Sequence, residues 1–146
     1  MKKTGILVAA ATVAAATLAM AHQGVTDPDV KARMDAMTAV GQATKTLGDM
    51  AKGAAPLHQA KARMARDTLV TTATRIPALF AAPAMDDKSE AAPEIWQNKK
   101  DFTKKARAMQ DAASDMEFAT RAELQESMKR LGATCASCHK AYRIKN

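Results

Sequence analysis

The sequence predicts an all-α fold, an antiparallel four-helix bundle. Three observations predict it. Apolar residues recur at steps of three and four through four separate stretches, the period of one helix face. No run of useful length alternates apolar and polar residues as a half-buried strand does. Proline, glycine and aspartate punctuate the chain between the four stretches, and the mostly short connections favour antiparallel neighbours.

The chain opens on a segment that is not expected in the folded protein. Met1-Lys2-Lys3 is a short basic start, Gly5 to Ala19 is an alanine-rich apolar run, and Ala19-Met20-Ala21 is a small-x-small cleavage pattern. Residues 1–21 therefore read as a secretory signal, leaving one domain over residues 22–146. The apolar run is shorter than the ~20 residues a spanning helix needs, so no membrane span is expected in the mature chain. Loss of Lys2 and Lys3 takes the basic count from 22 to 20 and the formal charge from +7 to +5.

The first helix starts at Asp27-Pro28, a cap followed by proline at the first helical position. Val30, Met34, Met37, Gly41, Thr44, Leu47 and Ala51 trace its seam, and Gly53 ends it. The second is expected from near Pro56, with Ala62, Ala65, Leu69, Ala73 and Ile76 inward and Pro77 as its stop. Residues 77–91 form the longest connection. Pro93 opens the third, where Ile95, Phe102, Met109 and Met116 repeat at heptad spacing with Ala106 and Ala113 between them. The fourth is expected from about Ala119 to Ile144, along the seam Leu124, Met128, Leu131, Cys135, Cys138 and Tyr142.

That fourth seam carries the chemistry. Cys135-Ala136-Ser137-Cys138-His139 holds the only two cysteines of the chain, and Cys-x-x-Cys-His is the attachment sequence of a c-type haem. Two thiols one turn apart can add to the vinyl groups along one edge of the porphyrin, and the adjacent histidine can ligate the iron. Competing readings fare worse. A thioredoxin-like pair wants a βαβ context, and a zinc site wants four ligands where only His22 and His58 could be added. A disulfide closing so short a loop stabilises little. Aromatic residues are 3% of the chain, so a haem would supply the large flat apolar body that the composition lacks. Covalent attachment outside the cytoplasm also agrees with a signal segment and a periplasmic location.

With these motifs in view, the chain resembles the class II cytochromes c, the cytochrome c′ family. Val30-Lys31-Ala32-Arg33, Pro93-Glu94-Ile95-Trp96 and Gly132-Ala133-Thr134 running on through the haem motif to Arg143 carry the resemblance. It implies a four-helix bundle with one covalent haem c on Cys135 and Cys138, and His139 as axial iron ligand. It places Arg33 near a haem propionate, although a solvated helix arginine is the commoner fate of that residue type. Arg143 would lie by the His139 imidazole, and Phe80 and Trp96 would join the pocket wall unless they pack elsewhere in the core. Met37, one turn after Arg33, stands where high-spin members present a nonligating residue and low-spin members a methionine ligand. Methionine is also a common core filler.

Two functions follow from the resemblance. With His139 and Met37 both on the iron, the site is closed and suits outer-sphere electron transfer. With an open sixth position it would bind nitric oxide or carbon monoxide. No acid, base or nucleophile constellation accompanies the motif, so an enzyme is not expected. Lys99, Lys100, Lys104, Lys105 and Arg107 crowd the third helix, and Lys61, Arg63 and Arg66 the second. They read either as solvated faces or as a docking surface for an acidic redox partner. The resemblance also admits a homodimer, while so few aromatics offer nucleic acid little to stack on.

Overall fold

The computed structural model describes residues 24–144; the signal segment expected at residues 1–21 lies outside them. Within them lie α1 (Pro28–Lys52), α2 (Gln59–Leu79), α3 (Glu94–Gln97), α4 (Lys99–Ser114) and α5 (Arg121–Tyr142).

The boundaries of α1 fall where the cap chemistry puts them. The Asp27 carboxylate accepts from the N–H groups of Asp29 and Val30, at 2.8 and 3.0 Å, and Pro28 occupies a position whose N–H would have no partner. Gly53 ends the helix at φ 79°, a left-handed backbone that glycine adopts without Cβ strain. Thr120 and Glu123 form a reciprocal capping box at the start of α5.

Three boundaries differ from expectation. Helix α2 begins three residues after Pro56, at Gln59 behind an N-capping His58, and it runs through Pro77 to Leu79. Proline costs a helix the bond from its missing N–H. Placed in the last turn it forfeits that one bond, and the Phe80 N–H still closes onto Ile76 O at 3.1 Å. The expected third helix is two, a single turn α3 and then α4, broken at Asn98 with φ −128° and ψ 53°. The heptad seam passes over the break, because Ile95, Phe102, Met109 and Met116 are all buried. Finally, α5 stops at Tyr142. The chain beyond it pairs with residues 90–92, where Ala92 N–H donates to Tyr142 O at 3.0 Å and Ile144 N–H to Glu90 O at 2.8 Å.

The four long helices form a ring in which α1 neighbours α2 and α5, and α4 does the same. Contacts between their ends fix the directions. Arg33 near the start of α1 meets Leu79 at the end of α2, and Gln59 at the start of α2 meets Phe118 just after α4. Asp101 at the start of α4 meets Tyr142 at the end of α5, and Ala51 at the end of α1 meets Gln125 near the start of α5. Every neighbouring pair is therefore antiparallel, an up-down-up-down bundle. Leu47, Leu69, Ile95, Leu124 and Leu131 are fully buried at its centre, with alanines at the helix crossings.

Candidate functional site

All the residues singled out for cofactor binding lie at one end of the bundle, where α1 starts, α2 ends, α4 starts and α5 ends. Cys135 and Cys138 lie one turn apart on α5, both unpaired and half-buried, packed against the core. Burial pushes both thiols up from the usual cysteine range and so keeps them neutral; for Cys138 the nearby Lys105 opposes this in part.

His139 does not share their burial. It is exposed. On a 3.6-residue helix it stands above Gly132, Met128 and Gln125, the strip of α5 that turns towards α1. Partial desolvation of the ring by its neighbours and then the Arg143 charge lower its pKa, against the pull of Glu90, which favours the neutral imidazole that a metal needs.

Opposite that strip stands α1. Gln125 Nε2 donates to Ala51 O at 2.9 Å, and the Met128 methyl lies 4.0 Å from where a Cβ on Gly48 would stand. Continuing this antiparallel register sets Gly41 level with Cys135 and Met37 level with His139. Met34 falls a turn further, level with Tyr142. Met37 is half-buried and packs against the core. The α1–α5 seam is the loosest of the four. A groove of about 680 Å³ opens along the part of it from Gly41 towards the end of α1, lined by Gly41, Thr44, Gly48, Ala51, Gln125 and Met128 among others. A Cβ at Gly41 or at Gly132 would meet no heavy atom within 4 Å, and the buried Thr44 hydroxyl has no hydrogen-bond partner. Gly41 was expected on the inward seam; it is exposed, because the core stripe of α1 runs through Ala36, Ala43 and Leu47.

Arg33 is 3% exposed, which removes the solvated alternative. Its Nε donates to Leu79 O at 2.8 Å, and its two terminal nitrogens to Ala84 O at 2.7 Å and Ala82 O at 2.5 Å. The guanidinium lies 4.9 Å from the Phe80 ring centre and 5.4 Å from that of Trp96. One side chain thus ties the end of α2 and the following loop to α1, and three of its five N–H groups are engaged in doing so. Trp96 Nε1 donates to Phe80 O at 3.0 Å, and the aromatic row continues through Phe102 to Tyr142, one turn beyond Cys138. Phe80 and Trp96 are therefore together, at the motif end.

Arg143 pairs with Glu90 at 2.6 Å while standing one turn beyond His139. Neither this pair nor the Tyr142–Asp101 hydrogen bond at 2.7 Å was legible from the residues, because the partners are 53 and 41 residues apart. Burial and then the Asp101 carboxylate push the Tyr142 phenol up to about 12. The two cationic clusters also separate. Lys61, Arg63 and Arg66 begin α2 at one end of the bundle, and Lys99 to Lys105 begin α4 at the other.

The donor set fits haem c rather than a bare ion. Two thiols and an imidazole lie within about a turn, with Met37 at the same level of the facing helix by the register above. Among the described residues no group of three or more His, Cys, Asp or Glu converges to hold a metal ion directly. Bundle and motif together define a helical-bundle protein built for covalently attached haem.

The family model described as Cytochrome C′ matches residues 28–143. A cytochrome c-554 of Cereibacter sphaeroides is 37% identical over 124 residues, covering 80% of this chain and 81% of the relative. A cytochrome c-556 of Agrobacterium tumefaciens is 36% identical over 117 residues, covering 78% and 93%. Among solved structures, cytochrome c′ from Rhodopseudomonas palustris superposes with a TM-score of 0.75 at 26% identity, covering 83% of this chain and 99% of the other. A nitric oxide complex of a variant cytochrome c prime from Alcaligenes xylosoxidans does so at 0.70 and 30%, covering 80% and 94%. The chain belongs to the cytochrome c′ family. Its cofactor is covalent haem c, and its function is that of a c-type cytochrome, an electron carrier or a binder of small gases.

Proposed function

We propose that this cytochrome is a periplasmic outer-sphere electron carrier whose haem iron is held between His139 and Met37. The observation that supports the reading is the α1–α5 register: continued from the Gln125–Ala51 contact, it brings position 37 level with position 139, and Met37 packs against the core. Haem c supplies a one-electron Fe(III)/Fe(II) couple. Cys135 and Cys138 hold it by thioether bonds on the half-buried face of α5. His139, kept neutral, offers a ring nitrogen to the metal. A Met37 sulfur on the other side would favour the reduced ion and keep exogenous ligands out. The Arg143–Glu90 pair beside His139 steadies the end of α5, and Arg33 with Phe80 and Trp96 closes the pocket wall with N–H groups to spare for a carboxylate. Residues 1–21 act as the export signal that brings the chain to the compartment where attachment occurs. No described helix is long and apolar enough to cross a membrane.

Met37→Leu tests this directly. It keeps an apolar side chain of similar volume, so packing changes by less than about 1.5 kcal/mol. The wild-type ferrous protein should show the sharp, split visible bands of low-spin haem. The variant should become high-spin, bind carbon monoxide readily and lose reduction potential, whereas Met34→Leu should do none of these. A five-coordinate wild type would instead support the gas-binding reading, which the nitric oxide complex of the Alcaligenes relative favours.

A further inference from the structure

The motif end carries its charges unevenly. Asp27 at the cap of α1 and Asp29 on it, with Asp86, Asp87 and Glu94 on the connection and α3, outnumber Lys31 and Lys88 there and give that flank a negative cast. The α4–α5 flank is the reverse. Between Lys99 and Arg107 the one carboxylate is Asp101, and between Gly132 and Tyr142 there is none. Asp101 is already engaged by the Tyr142 hydroxyl at 2.7 Å, with Lys105 at 4.0 Å.

This positive flank adjoins the attachment turn. Lys105 Nζ donates to Ser137 Oγ at 2.9 Å, between the two cysteines, and the Tyr142–Asp101 bond ties the helices again a turn later. Between these ties Lys104 is held on the outer side of α4, level with the turn from Cys138 to Lys140. Lys100, Lys104 and Lys140 are exposed, and so are Ala136 and Ser137. Solvent therefore reaches the cofactor-bearing turn along a strip edged by lysines, where an incoming redox centre would have the least protein to cross.

We propose that the face formed by Lys100 and Lys104 of α4 and Lys140 of α5 receives an acidic redox partner protein. The proposal rests on the electron-carrier reading above. A positive face beside a negative one at the same end of the molecule selects orientation as well as encounter, because like charges meet if the partner approaches over α1. The second cationic cluster, at the start of α2, lies at the opposite end and has no such relation to the motif.

The test uses the ferrous holoprotein and two small oxidants of opposite charge. One electron passes to hexacyanoferrate(III), giving hexacyanoferrate(II), or to tris(phenanthroline)cobalt(III), giving the cobalt(II) complex; no proton moves. Lys100→Glu with Lys104→Glu should slow oxidation by the anion about tenfold at 10 mM ionic strength and speed oxidation by the cation. Both effects should vanish near 0.5 M salt, where the screening length is only a few ångströms. The Lys→Gln pair should give about half the effect on a logarithmic scale. Lys61→Glu with Arg63→Glu, the same charge change at the far end, should alter either rate less than about twofold. Poly-glutamate, as an acidic polypeptide, should slow the anionic oxidant with wild type and not with the Lys100/Lys104 charge-reversed protein. Equal effects of the two charge-reversed pairs, or no effect of poly-glutamate, would overturn the docking face alone. A five-coordinate wild-type spectrum would overturn the electron-carrier reading, and the docking role with it.

Discussion

Where α1 faces α5, the two ends of the bundle are filled differently: the far end buries large side chains behind an open surface groove, and the motif end buries fewer. At the far end Leu47, Met50, Met116 and Leu124 are buried. The Ser127 hydroxyl, also buried, donates to Glu117 O and accepts from Glu117 N–H, both at 3.0 Å, which pins the turn between α4 and α5. At the motif end the corresponding positions along α1 and α5 hold Met37, Gly41, Gly132, Cys135 and Cys138, all half-buried or exposed. Both ends share the helical period and differ in what fills it. Large, well-buried side chains fill the far end, while small or only half-buried residues, glycine and thiol among them, border the motif end, where the haem attaches. Interiors pack near crystal density, so a stretch of seam with Gly41, Gly132 and only half-buried thiols marks where another body fits.

The contrast can be broken from the far end first. Leu124→Ala removes a fully buried side chain and leaves a cavity, which should cost about 2–5 kcal/mol by denaturant unfolding. The visible spectrum of the folded protein should stay the same, because nothing in the attachment turn has moved. A spectral change in Leu124→Ala would mean that the two ends are not separable as described.

From the motif end the expected stability effect is smaller and of opposite sign. Gly41→Leu replaces a mid-helix glycine whose Cβ would meet nothing within 4 Å, so helix propensity alone should favour the haem-free chain by about 1 kcal/mol. Covalent haem loading should fall nonetheless, because the new side chain fills the seam level with Cys135. Full haem loading in Gly41→Leu would show that the cradle is not needed there.

How much of this was legible in the residues depends on range. Asp27-Pro28 and Gly53 marked the ends of α1 because cap chemistry is local, and the haem motif was legible for the same reason. Pro77 misled because the cost of a proline depends on which bond it forfeits, and in a last turn that cost is small. The break at Asn98 carried no signal, since the apolar seam continues across it. Arg33 could not be read as buried without its acceptors, which lie 46 to 51 residues away. The side of α5 on which His139 stands carried no signal in the α5 seam, which passes through Cys135 and Cys138. In the structure the histidine stands on the flank towards α1, where only knowledge of the neighbouring helix gives it meaning.

The smallest effect sharpens the junction between the two regions. Tyr142 is the only tyrosine in the chain, it is 6% exposed, and its hydroxyl donates to Asp101 across the α4–α5 seam beside the attachment turn. Burial and a carboxylate both oppose the phenolate, so its pKa rises from 10 to about 12. The raised pKa belongs to the folded state, where the neutral phenol is preferred. Its stabilising contribution is therefore complete below about pH 10 and is lost as pH climbs towards 12. Phenolate absorbance reports this residue alone and should rise with a midpoint near 12 in the folded protein and near 10 in denaturant. Melting temperatures should agree: wild type should lose more stability than Tyr142→Phe between pH 10 and 12, since lysine titration is common to both. A folded-state midpoint near 10, or parallel losses in the two proteins, would mean that the Tyr142–Asp101 bond does not hold the seam beside the haem turn.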